Sequence, residues 1–150
     1  MKKIIFGSII TVLLIGIVIV GKISWDGYQL YKDTMEDVDI ETVVNDIRAR
    51  DNYVVIEDIP SHFLQAVIAV EDRRFMGHNG FDIISFGRAV IRNLEENEFA
   101  AGGSTITQQL SKNLFFSFEK KLERKVAELI VARQIEDTFE KNEILDIILV

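Results

Sequence analysis

The sequence predicts a mainly α-helical domain preceded by a single transmembrane helix, on three observations. The stretch from Ile4 to Val20 carries no charged residue. Beyond it, apolar residues recur at helical rather than alternating spacing. One short β-branched run, Tyr53-Val54-Val55-Ile56, reads as a strand.

The uncharged stretch is 17 residues long, at the short end for a spanning helix. Lys22 can extend its stem along the lipid, so Gly21 and Ile23 lengthen the buried segment. Lys2 and Lys3 keep the N-terminus in the cytoplasm. Trp25, Tyr28 and Tyr31 follow at helical spacing, as an interfacial aromatic belt would. No A-x-A-like cleavage site follows Val20, which favours an anchor over a cleaved signal. The expected organisation is a tail at 1–3, an anchor at 4–23, a juxtamembrane stalk at 24–52 and a domain at 53–150.

Charge then narrows the function. With the three lysines of residues 1–22 set aside, 14 Lys and Arg face 24 Asp and Glu, a net charge of −10. Such a domain is a poor nucleic-acid binder, because a phosphate backbone demands a basic face. An anionic substrate must be met by a local cluster of cations. The chain has no cysteine, which excludes disulfides and thiolate metal sites. Two histidines, His62 and His78, argue against a His-rich metal centre.

The domain's elements follow in order. Pro60 ends the β-branched run, and Ser61 is the expected N-cap of a helix through Phe63, Leu64, Val67 and Val70. A loop with Gly77 and Gly80 comes next. Asp82 is expected to cap a helix with Ile83, Ile84, Val90, Ile91 and Leu94 on one apolar face. After a polar connection and Gly102-Gly103, a helix begins near Ser104 or Thr105. Leu122, Val126, Leu129, Ile130 and Ile135 form another helical pattern. Asn142 is the expected N-cap of a last segment that is apolar on nearly every side. A helix so unshielded predicts that downstream sequence is missing.

Three stretches carry chemistry. Glu71-Asp72-Arg73-Arg74-Phe75-Met76-Gly77-His78-Asn79-Gly80 places two acids at the end of an apolar helix, before a glycine-containing loop. A carboxylate there can be partly desolvated in a cleft and act as a general base; the plain alternative is ion pairing with Arg73 and Arg74. In the stretch Gly102 to Asn113, glycines ahead of a helix start let backbone N–H groups approach an anion. Ser104, Gln108, Gln109 and Lys112 add donors for a phosphate or sugar. Arg124-Lys125-Val126-Ala127-Glu128 is either an i,i+4 surface pair or a diphosphate site organised by Glu128.

Together the stretches resemble those of family 51 glycosyltransferases, the peptidoglycan polymerases found alone or joined to penicillin-binding transpeptidase domains. E-D-x-x-F-x-x-H-x-G is met at Glu71, Asp72, Phe75, His78 and Gly80. G-G-S-T-I-x-Q-Q-L-x-K-N is met from Gly102 to Asn113 with Thr107 in its middle, and R-K-x-x-E from Arg124 to Glu128. The resemblance covers roughly residues 53–149. The signature K-x-E-I-L-E-x-Y-L-N is met at Lys141, Glu143, Ile144, Leu145 and Leu149. There Asp146 is a mild change, Ile148 replaces tyrosine and Val150 replaces asparagine. A fifth signature has no counterpart.

The resemblance implies a lysozyme-like fold and polymerisation of lipid II into glycan strands by β-1,4 bonds, with release of polyprenyl diphosphate. It implies Glu71 and Glu128 as the catalytic acids. It implies substrate contacts from Asp72, Phe75, His78, Arg88, Ser104, Gln108, Gln109, Lys112, Asn113, Lys120, Arg124 and Lys125. No cofactor is required; a divalent cation, Mg or Mn, near the pyrophosphate is an option, with Glu128 beside it. Implied partners are lipid II, the growing glycan strand, the bacterial cytoplasmic membrane and other cell-wall synthesis proteins, with no nucleic acid. The domain would lie on the extracytoplasmic side. The alternative reading is a truncated, catalytically inert copy that binds precursor or partner proteins.

Overall fold

The computed structural model describes residues 2–96, 102–116 and 121–149. Among the described residues lie seven α-helices and two short 3-10 turns, with no strand. Helix α1, Lys2–Met35, runs unbroken from the expected anchor into the expected stalk. Its segment Phe6–Met35 is long and apolar enough to cross a membrane. The side chains from Phe6 to Val20 are exposed.

Helix α2, Ile40–Arg48, is capped by Asp39, whose carboxylate accepts the Thr42 N–H at 3.0 Å. Ile40, Val44 and Ile47 lie at i, i+4 and i+7, and all three are buried in the core. Residues 40–48, expected as stalk, are therefore part of the domain's packing. The expected strand at 53–56 does not form. Val54 and Val55 are exposed, and Ile56–Asp58 closes into a 3-10 turn. A β-branched run becomes a strand only where a neighbouring strand accepts it, and none exists among the described residues.

Helix α3 spans Ser61–Glu71. Pro60, not Ser61, holds the cap position, with φ of −56° and no side-chain cap bond; the fixed φ of proline suits a helix entry. Helix α4, Ile83–Glu96, begins as expected at Asp82. Asp82 Oδ1 accepts the N–H groups of Ile84 at 2.9 Å and Ser85 at 3.2 Å. Its Oδ2 takes the Ser85 hydroxyl at 2.6 Å and the Arg74 guanidinium at 3.0 Å. Burial pushes this carboxyl up, but the Ser85 and Ile84 hydrogen bonds and the Arg74 charge outweigh it and hold the pKa at about 2. A lowered folded-state pKa stabilises the protein above the unfolded value of 3.8. That contribution is lost as pH falls from 3.8 through about 2. Melting temperature followed from pH 5 to pH 2 should therefore drop less steeply in Asp82→Asn than in the parent chain. Equal slopes would remove Asp82 from this role.

The apolar face of α4 points outward: Ile84, Phe86, Val90 and Ile91 are exposed, and Leu94 is 75% exposed. The core instead forms around helices α5, Ile106–Phe115, α6, Leu122–Thr138, and α7, Lys141–Ile148. Ile106 and Leu110 from α5, Val131 and Ile135 from α6, and Ile144, Leu145 and Ile147 from α7 pack with Phe75 and α2. Glu140, not Asn142, caps α7, and its N–H donates to Glu143 at 3.0 Å in a reciprocal capping box. The apolar run from Ile144 thus finds its partners on α2, α5, α6 and the turn at Ile56–Asp58.

Candidate functional site

The end of α3, one face of α4 and the loop leading into α5 line the site, and the first turns of α6 join it through Ser104. Asp72 ends α3 as its C-cap and turns its carboxylate inward, 5% exposed. There Oδ2 accepts the Ile106 N–H at 3.2 Å and lies 2.9 Å from His78 Nε2. Thr105 caps α5 by accepting the Gln108 N–H, and the Gln108 side-chain oxygen accepts the Thr105 N–H at 3.3 Å. The anion seat expected at the start of α5 is thus filled from within, by the Asp72 carboxylate. Gly103 serves a different purpose: a Cβ there would stand 3.2 Å from the Ala89 Cβ, so the loop lies close against α4.

Gly80 completes this scaffold. Its φ of +85° is open to glycine, and a side chain would meet the Ala132 backbone at 3.1 Å. Its carbonyl accepts the Thr105 hydroxyl at 2.7 Å and the Gln108 amide at 3.2 Å. Phe75 is fully buried, with the His78 ring at its edge and the Lys141 ammonium 4.2 Å above its face. The expectation of substrate contact thus meets inward-facing places for Phe75, His78 and Gln108. They hold the loop that follows Glu71.

Glu71 points the other way. It is exposed, and its Oε2 accepts the Gln109 side-chain amide at 2.8 Å. It lines an open groove of about 420 Å³ together with Asp72, Arg73, Arg88, Arg92 and Ser104. Arg88 donates to the Ser85 hydroxyl at 3.1 Å. The plain alternative of Glu71 and Asp72 pairing with Arg73 and Arg74 is not what forms, since Arg74 pairs with Asp82 and Asp72 with His78. Arg92 is the charged lining residue that sequence reasoning passed over. It stands four residues after Arg88 on α4, and that spacing was the available signal.

On α6, the segment from Arg124 to Glu128 forms a partly buried ion-pair cluster. Glu128 is fully buried and pairs with Arg124 and, at 2.7 Å, with Lys125. Lys125 also donates to the Ser104 hydroxyl at 3.1 Å, which links the α6 cations to the groove wall. The Ser111 hydroxyl donates to the Glu128 carbonyl at 3.1 Å and ties α5 to the same turn. Lys112 is half-buried and Asn113 exposed on α5, while Lys120 lies outside the described residues. Both Glu128 oxygens face cations, and no cluster of three metal-binding side chains occurs among the described residues. Among the described residues, the Glu128 carboxylate is already committed to cations and does not fit a divalent ion held by the protein alone.

One exposed carboxylate and several cations thus stand around an open groove on a helical domain. The chain belongs to the transglycosylase family, whose model matches residues 39–149. It is 47% identical over 97 residues to penicillin-binding protein 1A of Aquifex aeolicus, which covers 65% of this chain and 13% of that protein. Identity is also 47% over 97 residues to a biosynthetic peptidoglycan transglycosylase of Nitrosomonas eutropha, covering 65% of this chain and 40% of that one. A monofunctional glycosyltransferase of Staphylococcus epidermidis is 40% identical over 105 residues, covering 68% of this chain and 39% of that one. The chain therefore spans well under half the length of these relatives.

Proposed function

We propose that the chain is a peptidoglycan glycosyltransferase that polymerises lipid II into glycan strands and releases polyprenyl diphosphate. One observation carries this reading: Glu71 is exposed at the wall of a groove that Arg73, Arg88 and Arg92 also line, with Lys125 one hydrogen bond away at Ser104. The Glu71 carboxylate takes the proton from the acceptor sugar's 4-hydroxyl. That oxygen attacks the donor's anomeric carbon from the face opposite the leaving group, so the configuration inverts. The bond from this carbon to the pyrophosphate oxygen breaks, and its electron pair leaves with the phosphate. Fixed cations stabilise that charge where it develops. Gln109 holds the base, and Glu128 holds Arg124 and Lys125.

The lipid nature of the substrate gives α1 its place as the anchor in the cytoplasmic membrane, with the domain outside. The outward apolar face of α4 suits contact with the lipid surface. Other cell-wall synthesis proteins are the fitting protein partners. The reading is tested by adding fluorescent lipid-linked precursor to the full chain in vesicles. The expected products are muramidase-sensitive polymers and free polyprenyl diphosphate; release of short sugars without polymer would make the chain a hydrolase. Arg92→Ala should raise KM roughly tenfold with kcat within about twofold, as loss of one charge-assisted contact of about 1.5 kcal/mol implies. An unchanged KM would take Arg92 out of the substrate's reach. Ile148, standing in place of the family's tyrosine, favours a second reading, a chain that binds precursor without turnover. Precursor binding with no product from the parent chain would select it.

A further inference from the structure

Helix α1 packs along α6, with a very close approach at Gly27. A Cβ on Gly27 would stand 2.5 Å from the Val126 Cβ and 2.6 Å from the Glu123 carbonyl oxygen, so only glycine lets the two helices touch there. One turn further along α1, the Tyr31 hydroxyl accepts the Gln134 amide of α6 at 2.8 Å. Residue numbers rise together on both sides of this interface, so α1 and α6 run parallel. The consequence is directional. The first turns of α6, with Arg124, Lys125 and Glu128, lie at the end of the domain nearest the apolar run of α1.

The height follows from helix geometry. Gly27 is four residues beyond Ile23, the end of the buried segment, which at about 1.5 Å per residue places the contact roughly 6 Å past it. The headgroup layer is roughly 5–8 Å deep on each side of the hydrocarbon core. The α6 cations therefore stand in the outer part of that layer, within a side chain's length of a lipid phosphate. The unbroken helix from Lys2 to Met35 leaves no hinge among these residues to change that height.

We propose that the Gly27-centred contact between α1 and α6 is a positioning device that sets the height of the cation cluster to meet a pyrophosphate held in the bilayer. This rests on the glycosyltransferase reading and on α1 spanning the membrane. Only substrate fixed at bilayer depth depends on the setting. A short-chain, water-soluble analogue can find the groove at any height.

The test uses the full chain in vesicles of phosphatidylcholine and phosphatidylglycerol. Seven residues of a helix-forming sequence inserted after Lys22 raise the domain by about 10 Å and nearly preserve its facing. Turnover of long-chain lipid-linked precursor should fall at least tenfold, while turnover of a short-chain analogue stays within about twofold and the melting temperature is unchanged. Gly27→Leu, which must push α1 away from Val126, should show the same split. If that variant fails to fold, the insertion still decides. A depth readout works without turnover: the chain lacks cysteine, so Leu122→Cys accepts a single fluorophore on an exposed site at the start of α6. Headgroup-level quenchers should dim it in the parent chain and not after the insertion. Equal loss on both substrates, undiminished long-chain turnover, or a label unquenched in the parent chain would each overturn the proposal. A parent chain that turns over neither substrate refutes the glycosyltransferase reading, while the label still reports on the height.

Discussion

Glu71→Gln is expected to lower polymerisation about 10²- to 10⁴-fold, the usual contribution of a positioned general base. The substitution keeps the shape and one hydrogen-bonding oxygen but removes the proton acceptor. Gln109 can still donate to the amide oxygen as it now donates to Glu71 Oε2, so the groove should keep its form. The loss should fall on kcat and leave KM near the parent value, because Glu71 touches the attacking hydroxyl rather than the charged leaving group. Initial rates at several concentrations of lipid-linked precursor separate the two. A rate within threefold of the parent would assign the proton to another group. A loss confined to KM would make Glu71 a binding residue instead.

Glu128→Ala should produce the largest change in stability. The carboxylate is buried between Arg124, itself 9% exposed, and Lys125. Removing one partner of a buried ion pair costs about 3–5 kcal/mol. Against a total stability of about 5–15 kcal/mol this is a large share. Thermal unfolding in detergent should shift down by many degrees. Glu128→Gln, which preserves volume and hydrogen bonding, should fall between the two. A melting temperature unchanged in Glu128→Ala would remove the Glu128 carboxylate from this stabilising role.

What the sequence disclosed followed local chemistry. Asp82 and Thr105 cap helices through side-chain bonds to N–H groups two or three residues on, so their role is written within a few positions. The strand at 53–56 was misread because strand formation depends on a distant neighbour that local sequence cannot show. Helix α2 carried its signal in Ile40, Val44 and Ile47, but acidic residues around them made the segment resemble a solvated stalk. The exposed face of α4 was legible as a stripe and not as outward-facing, since periodicity gives the face without its direction.

The site divided in the same way. Glu71, Arg88 and Ser104, three of the residues implied by the resemblance, line one groove. Phe75, His78 and Gln108 belong to the motifs yet turn inward, because a run of functional residues also includes the ones that fix the loop. Their burial was not visible in the spelling of the motif. The filling of the α5 N-terminus by Asp72 joins residues 34 apart, a distance over which sequence pattern carries no register. Membership of the transglycosylase family rests on the long match over residues 39–149 and does not depend on any of these details.

Binding and turnover measured side by side test the central claim most directly. Fluorescent lipid-linked precursor would be titrated into vesicles holding the parent chain, Glu71→Gln or Lys125→Ala, and polymer would be scored on the same samples. A groove that binds with its cations and reacts with its carboxylate predicts two separate defects: Glu71→Gln binds within about threefold of the parent and makes almost no polymer, whereas Lys125→Ala binds at least tenfold more weakly. Precursor held equally well by all three chains, with polymer made equally by Glu71→Gln, would contradict it.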